Sequence, residues 1–255
     1  MLGTQALGDV RVRRALAGSI DKETLNDVLF ERDGVTTDTI LPSSVDYYAA
    51  IDRAVAKYPF DPRRTAQLMT EAGYTRGSDG IYASPSAGRV ALELKINASP
   101  QYESERAIIA SGWRDVGFDV SEATLPAAQA QDGQARASYP GLYAFSTGLG
   151  ESALPNFQTN GIPRPENRWT GNNRGGWSNV DYDRLIDAYN NTLEKNARVD
   201  LMAKMMSQVT EQLPAFSLYY DLSAVPIANA VRGPGPALYD SSGLITWNVW
   251  QWDWR

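Results

Sequence analysis

Three apolar, strand-like segments separated by stretches of helical period predict an α/β fold, with a mixed, mostly parallel sheet flanked by helices. Residues 90–97 are the clearest: Val90, Leu92, Leu94 and Ile96 alternate strictly, which turns one apolar face to a core. Residues 118–125 and 141–147 read as the second and third strands. Between the first two, residues 101–116 carry Ile109, Trp113 and Val116 on one helical face and meet Gly117 as a C-terminal stop. A β-α-β-α-β order favours parallel pairing through right-handed crossovers.

The elements follow in order from the N-terminus. Asp9 is a helix N-cap, because its carboxylate accepts from an otherwise unbonded backbone N–H. Val12, Ala15, Leu16 and Ser19 then form one small-to-apolar stripe, and Arg11, Arg13 and Arg14 fall off it. Asp21 caps a second helix, Lys22 to about Phe30. Residues 32–60 are a long polar connector with Pro42 and Pro59. Asp61 as N-cap, Pro62 at the first helical position and Gly73 as the stop frame a third helix, with Ala66, Leu68, Met69 and Ala72 able to face a core. Residues 77–88 read as a turn-rich hairpin or loop, and residues 126–136 as a short helix. Residues 148–178 have no period, yet Trp169 and Trp177 argue against disorder; loops this long are usually functional. Asn179 restarts a helix with the stripe Tyr182, Leu185, Ile186, Tyr189 and Leu193. Val199, Met202, Met206, Val209 and Leu213 form the next. Pro214 ends it, and residues 215–222 read as a strand.

Composition bounds the chemistry. The chain has 255 residues, enough for one large domain or two small ones, and its 43% hydrophobic content is ordinary for a globular protein. No apolar run approaches the roughly 20 residues of a membrane helix. The net charge of −6 gives nucleic-acid binding no electrostatic support. Cys and His are absent, which excludes disulfides, thiol nucleophiles, His bases and His or Cys metal ligands within this chain. No motif for a cofactor or metal stands out. Carboxylates able to run a hydrolase are Glu151, Glu166, Asp181 and Asp183; the last two sit in a helix first turn, where acids suit the macrodipole. Gly175-Gly176 before a helix is either an anion site or, more simply, a glycine turn. Aromatic residues at strand ends and in the irregular loop (Phe145, Trp169, Trp177, Tyr219 and Tyr220) suit flat apolar contact with a peptide or sugar, or else are core. Tyr219 and Tyr220 alternate, so one is expected at a cleft and the other packed.

Three strings carry a resemblance. DVRVRRALAGSIDKETL from Asp9, PFDPRRTAQLMTEAGY from Pro59, and the run GGWSNVDYDRLIDAYNNTLEKNARVDLMAKMMSQVTEQLPAFSLYY resemble the family 5 extracellular solute-binding proteins, the peptide, nickel and oligosaccharide receptors of ABC importers. The match is tight at Asp61, Pro62, Ala66, Glu71, Ala72, Gly73 and Tyr74. The resemblance implies a type II periplasmic-binding-protein-like lobe. Residues 1–214 would be the second, C-terminal ligand-binding lobe. Residues 215–255 would be a crossover strand and Trp-rich tail returning to a first lobe outside this sequence. With no basic-then-apolar leader at Met1, a fragment is expected. The resemblance also implies a binding protein rather than an enzyme, acting outside the cytoplasm. Its implied partners are a peptide or other small solute, the ABC permease subunits and the first lobe; an oligosaccharide receptor is the runner-up, and a hydrolase module the outside alternative. Pocket residues would come from the segment after the third strand (Thr147, Gly148, Leu149, Gly150 and Glu151) and from Tyr219 and Tyr220. Many members carry Trp and then an Asp-Tyr-x-(Asp/Glu)-Pro run after that strand. Here GLGESALPNF replaces it, leaving Glu151 as the acidic substitute.

Overall fold

The computed structural model describes residues 5–221, 226–234 and 245–254. Four side-chain caps open the main helices as expected. Asp9 accepts from Arg11 N at the start of α1 (Val10–Ala17), and Asp21 from Glu23 N and Thr24 N at α2 (Lys22–Phe30). A short α3 (Tyr48–Asp52) interrupts the connector. Asp61 caps α4 (Pro62–Glu71), whose run ends before Gly73 at φ +86°. Residues 75–89 are a small antiparallel sheet, β1 (Thr75–Arg76), β2 (Tyr82–Ser84) and β3 (Gly88–Arg89), so the turn-rich stretch is a meander.

The parallel sheet is the one expected. β4 (Ala91–Asn97) lies in the middle, β5 (Asp119–Leu125) on one side and β6 (Leu142–Ala144) on the other, both parallel to it. Leu92 pairs with Val120, and Leu94 with both Glu122 and Leu142. The connecting helices are α5 (Pro100–Asp115), capped by Ser99, and α6 (Gly133–Ala137), capped by Asp132. Val90, Leu92, Leu94 and Ile96 are all at most 2% exposed, so alternation on β4 gives one fully buried face. Val90, Leu92 and Leu94 of that face join Val12 and Leu16 of α1, Leu68 and Met69 of α4, and Ile109 and Trp113 of α5 in one core cluster. Trp113 Nε1 also donates to the Leu16 carbonyl at 3.1 Å, so the largest core side chain keeps its polar atom bonded.

A second cluster lies on α3, on α7 (Val180–Asn190), capped by Asn179, and on α8 (Lys195–Gln212), with Leu41, Leu154, Phe157 and Trp177 added from the loops. Arginines off the α1 stripe link the two parts. Arg13 Nε donates to the Gln212 carbonyl at 2.8 Å and Arg14 Nη2 to that of Glu211 at 2.8 Å. Those carbonyls belong to the last turn of α8, which lacks intrahelical donors and carries the negative end of the helix dipole.

Four expectations change. Leu193 is 97% exposed, because α7 stops at Asn190 and the helical period no longer applies to it. Residues 126–136 split into a 3-10 turn, Ala127–Gln129, and α6. The third strand is only three residues long, so Phe145 and Thr147 lie beyond it. Residues 215–221 form no sheet strand: one antiparallel bridge joins Tyr219 to Thr36, flanked by Thr37 N to Leu218 O and Tyr220 N to Val35 O, both 3.0 Å. The partner stretch is too short for more, since the Thr37 side chain already closes a turn onto Thr39. Leu222 lies outside the described residues. In the tail, β7 (Val231–Arg232) pairs antiparallel with β8 (Asp253–Trp254).

Candidate functional site

A cleft of about 460 Å³ opens where the two clusters meet. One wall is β6 with its continuation: Leu142, Tyr143, Ala144, Phe145 and Thr147. β6 pairs with β4 alone among the described strands, so its outer edge is free beside this cleft. A second wall is α5, through Tyr102, Glu105 and Ile109; a third is the bridged segment Phe216, Leu218, Tyr219, Tyr220 and Asp221; residues 172–175 close one side. Most of this lining is apolar or aromatic, so the few polar groups set direction.

Glu105 is the buried acid. It is 4% exposed and accepts a hydrogen bond from the Tyr219 hydroxyl. Burial pushes its carboxyl above the ordinary range, and nearby Asp221 adds to the rise, while the Tyr219 bond opposes it. Burial, then the bond to Glu105, pushes the Tyr219 phenol up in turn. Gln101 Nε2 lies 3.4 Å from the Tyr219 hydroxyl and 3.3 Å from Asp221 Oδ1. Arg174 is the half-buried base. Its guanidinium carbon lies 4.3 Å from the Phe145 ring centroid and 5.7 Å from that of Tyr143. Desolvation, and then the charge of Arg136, lower its affinity for its proton. Burial pushes the neighbouring Tyr139 phenol up to about 12.

The sequence-derived candidates divide. Phe145, Thr147, Leu149, Tyr219 and Tyr220 line the cleft. Thr147 Oγ1 accepts from Asn156 Nδ2 at 3.1 Å. Gly148 is adjacent but contributes no lining. Glu151 does not line the cleft: it pairs with Arg198 at 2.9 Å and accepts from Tyr47 at 3.1 Å, on the α8 side. Trp169 also lies outside the lining; its backbone packs against Gly133, where a Cβ would stand 2.7 Å from the Trp169 carbonyl. Trp177 is core, 6% exposed. Tyr219 and Tyr220 do point to opposite elements, Tyr219 to α5 and Tyr220 to the Leu41 carbonyl and Thr37. Both nevertheless touch the cleft, because a segment bridged at a single point is flanked by it on both sides.

The hydrolase candidates do not converge. Asp183 accepts from Thr159 N at 3.0 Å, Asp181 pairs with Arg184 at 3.1 Å, and neither they nor Glu166 line the cleft. Among the described residues no group of three or more His, Cys, Asp or Glu could hold a metal ion. Gly175-Gly176 is a turn: Gly176 has φ +66°, and a Cβ on Gly175 would stand 2.9 Å from the Pro214 carbonyl. Sequence reasoning missed Glu105 and Arg174. Glu105 had one visible signal, a charge four residues ahead of Ile109 on an otherwise apolar stripe. Arg174 had none, since its place depends on how residues 148–178 fold.

Comparisons with known proteins fit this arrangement. The family model described as bacterial extracellular solute-binding proteins, family 5, middle region, matches residues 2–161, well over half of the chain. A heme-binding protein A from Haemophilus influenzae is 24% identical over 240 residues, covering 91% of this chain and 41% of that protein. A dipeptide-binding protein from Escherichia coli is 24% identical over 233 residues, covering 89% of this chain and 40% of its own length. The chain thus spans about 40% of these relatives. Among solved structures, NikZ from Campylobacter jejuni in complex with Ni(L-His) superposes with a TM-score of 0.75 at 18% identity, covering 98% of this chain and 50% of that one. An oligopeptide-binding protein from Thermus thermophilus, complexed with a pentapeptide, gives 0.71 at 24% identity, covering 84% of this chain and 38% of that one. These likenesses establish the periplasmic-binding-protein fold.

Proposed function

The chain belongs to the bacterial extracellular solute-binding proteins of family 5, and from that premise we propose that it is the second ligand-binding lobe of an ABC importer's substrate-binding component, taking oligopeptides. Residues 1–214 form the lobe, and the bridged segment from residue 215 onward leads back to a first lobe. The observation that carries the peptide reading is the cleft itself. It is walled by aromatic and apolar side chains and runs along the free edge of β6, where an extended chain finds unpaired backbone groups. The named activities of dipeptide- and oligopeptide-binding relatives point the same way. Two lobes close on the solute about a hinge, outside the cytoplasm, and the closed form docks on the permease. An oligosaccharide is the second reading, since one similar structure holds mannohexaose.

The test is a calorimetric titration of the two-lobed protein with a panel of di- to pentapeptides and with mannohexaose. Micromolar or tighter peptide binding is expected. Binding of the sugar with no response to any peptide would overturn the peptide reading.

A further inference from the structure

We propose that Glu105 is a positioning residue for the cleft: through the Tyr219 hydroxyl it seats residues 215–221 against α5, and that seat loosens when Glu105 gives up its proton to solvent. This deepens the solute-binding reading, on which only the affinity arm of the test rests. The first observation is how the segment is held. Its single bridge, Tyr219 to Thr36, leaves most of its backbone outside any sheet, so side chains supply the rest. Two phenols do so on opposite sides. Tyr220 donates to the Leu41 carbonyl and accepts from Thr37, and neither partner titrates. Tyr219 donates to Glu105, so of the two anchors this one can change its charge. The Tyr219 ring also packs edge-to-face on Phe30 of α2 at 4.9 Å, which makes ring and hydroxyl separate holds. Both tyrosines line the cleft, so the seat fixes one of its walls.

The second observation is the charge around Glu105. It is buried, and among the described residues it pairs with no cation. The titratable groups facing it are Tyr219 and Asp221 on the segment and Tyr102 on α5 itself. The Gln101 amide contacts both the Tyr219 hydroxyl and Asp221, which keeps the second acid on the same seam. The other charges of the packed elements are engaged elsewhere. On α2, Lys22 pairs with Asp38 and Asp27 with Arg32, while Glu23 is exposed. On α5, Arg106 and Arg114 bind Glu122, and Glu103 and Asp115 are exposed. Arg13 of α1 donates to the carbonyls of Leu7, Gly8 and Gln212. Glu93 and Lys95 of β4 alternate onto the sheet face opposite Leu92 and Leu94. Arg174, across the cleft, stacks on Phe145.

These two observations couple a proton to the position of the segment. In the seat, burial disfavours the ionised carboxyl; the Tyr219 bond opposes this, Asp221 adds to it, and the net direction is upward from 4.5. Moving the segment away admits water to Glu105 and takes Asp221 with it. The ionised form therefore prefers the loosened seat, and the protonated form the closed one. The seat is tightest below the ordinary value of 4.5, loosens as pH climbs from there, and levels off above the raised value.

The experiment follows amide hydrogen exchange in the ¹⁵N-labelled chain by NMR, from about pH 4.5 to 7.5, corrected for the intrinsic rate at each pH. The reporters are the Tyr220 N–H, bonded to the Val35 carbonyl, and the Thr37 N–H, bonded to that of Leu218; the Leu213 N–H, bonded to Val209 O, is the control. Protection of both reporters should fall by roughly threefold or more over that range while the control holds, and in Glu105→Gln it should stay flat. In the parent, the ¹³C signal of the Glu105 carboxyl should titrate with the same midpoint as the reporters, which decides the matter should the variant misfold. Flat protection in the parent, an equal fall in Glu105→Gln, or differing midpoints would each overturn the proposal. In the two-lobed protein, one peptide titrated calorimetrically at both ends of the range should lose severalfold more affinity in the parent than in Glu105→Gln, the peptide's own ionisation being common to both. Equal pH profiles would overturn the positioning role and leave the peptide reading intact. No peptide bound at all, with the exchange step present, would contradict the peptide reading and support the seat held by Glu105.

Discussion

Glu105 has a phenol where a buried carboxylate usually has a cation. Its folded-state pKa is raised above the ordinary 4.5 by burial. Below that ordinary value the carboxyl is neutral in both folded and unfolded chains. As pH climbs from there, the unfolded chain releases its proton first, so this residue's contribution to stability falls until the raised value is passed. The measurement is a pair of melts: the stability of Glu105→Gln relative to the parent should increase as pH rises from about 4.5 and level off above the raised pKa. A difference independent of pH would contradict the assignment. Tyr219→Phe removes the hydrogen bond to that acid and should destabilise the chain by about 1–3 kcal/mol in denaturant melts near neutral pH, the cost of leaving a buried group unmet. Only part of this was legible in the sequence. Alternation separated Tyr219 from Tyr220, but nothing local showed that Tyr219 meets a glutamate 114 positions away.

Among the elements, helices were legible because their signals are local. Asp9, Asp21, Asp61 and Asn179 each bond an N–H two or three residues ahead, so a four-residue window contains the interaction. Asp61→Ala should therefore cost about 0.5–2 kcal/mol by chemical denaturation, with no change in the cleft. Trp113→Ala should cost about 3–5 kcal/mol, since the ring is 1% exposed between α5 and α1 and its Nε1 bond is lost as well. β4 was legible from strict alternation. β6 was legible as a third strand but not in its extent, 142–144 rather than 141–147, because Leu142, Tyr143 and Ala144 are all half-buried and carry no two-residue rhythm. The segment after Pro214 misled for a related reason. Its residues have strand propensity, but its partner around Thr36 supplies one bridge only, and partner length is a tertiary property.

On the scale of the whole molecule, two apolar clusters meet at a cleft, and α1 is tied through Arg13 and Arg14 to the end of α8. The fold class was readable because strand and helix periods alternate in chain order. The cleft was not, because it is assembled from residues between positions 7 and 221. Under the proposed function this cleft is half of a binding site, since the chain spans about 40% of its relatives' length. Half a site removes few ligand atoms from water, so affinity should be poor without the opposing lobe. The most direct test is one calorimetric comparison: the same peptide titrated into this chain and into the two-lobed protein that contains it. The account predicts no binding heat from the chain at peptide concentrations up to about 1 mM, and micromolar or tighter binding by the two-lobed protein. Sub-micromolar binding of any di- to pentapeptide by the chain alone would contradict it.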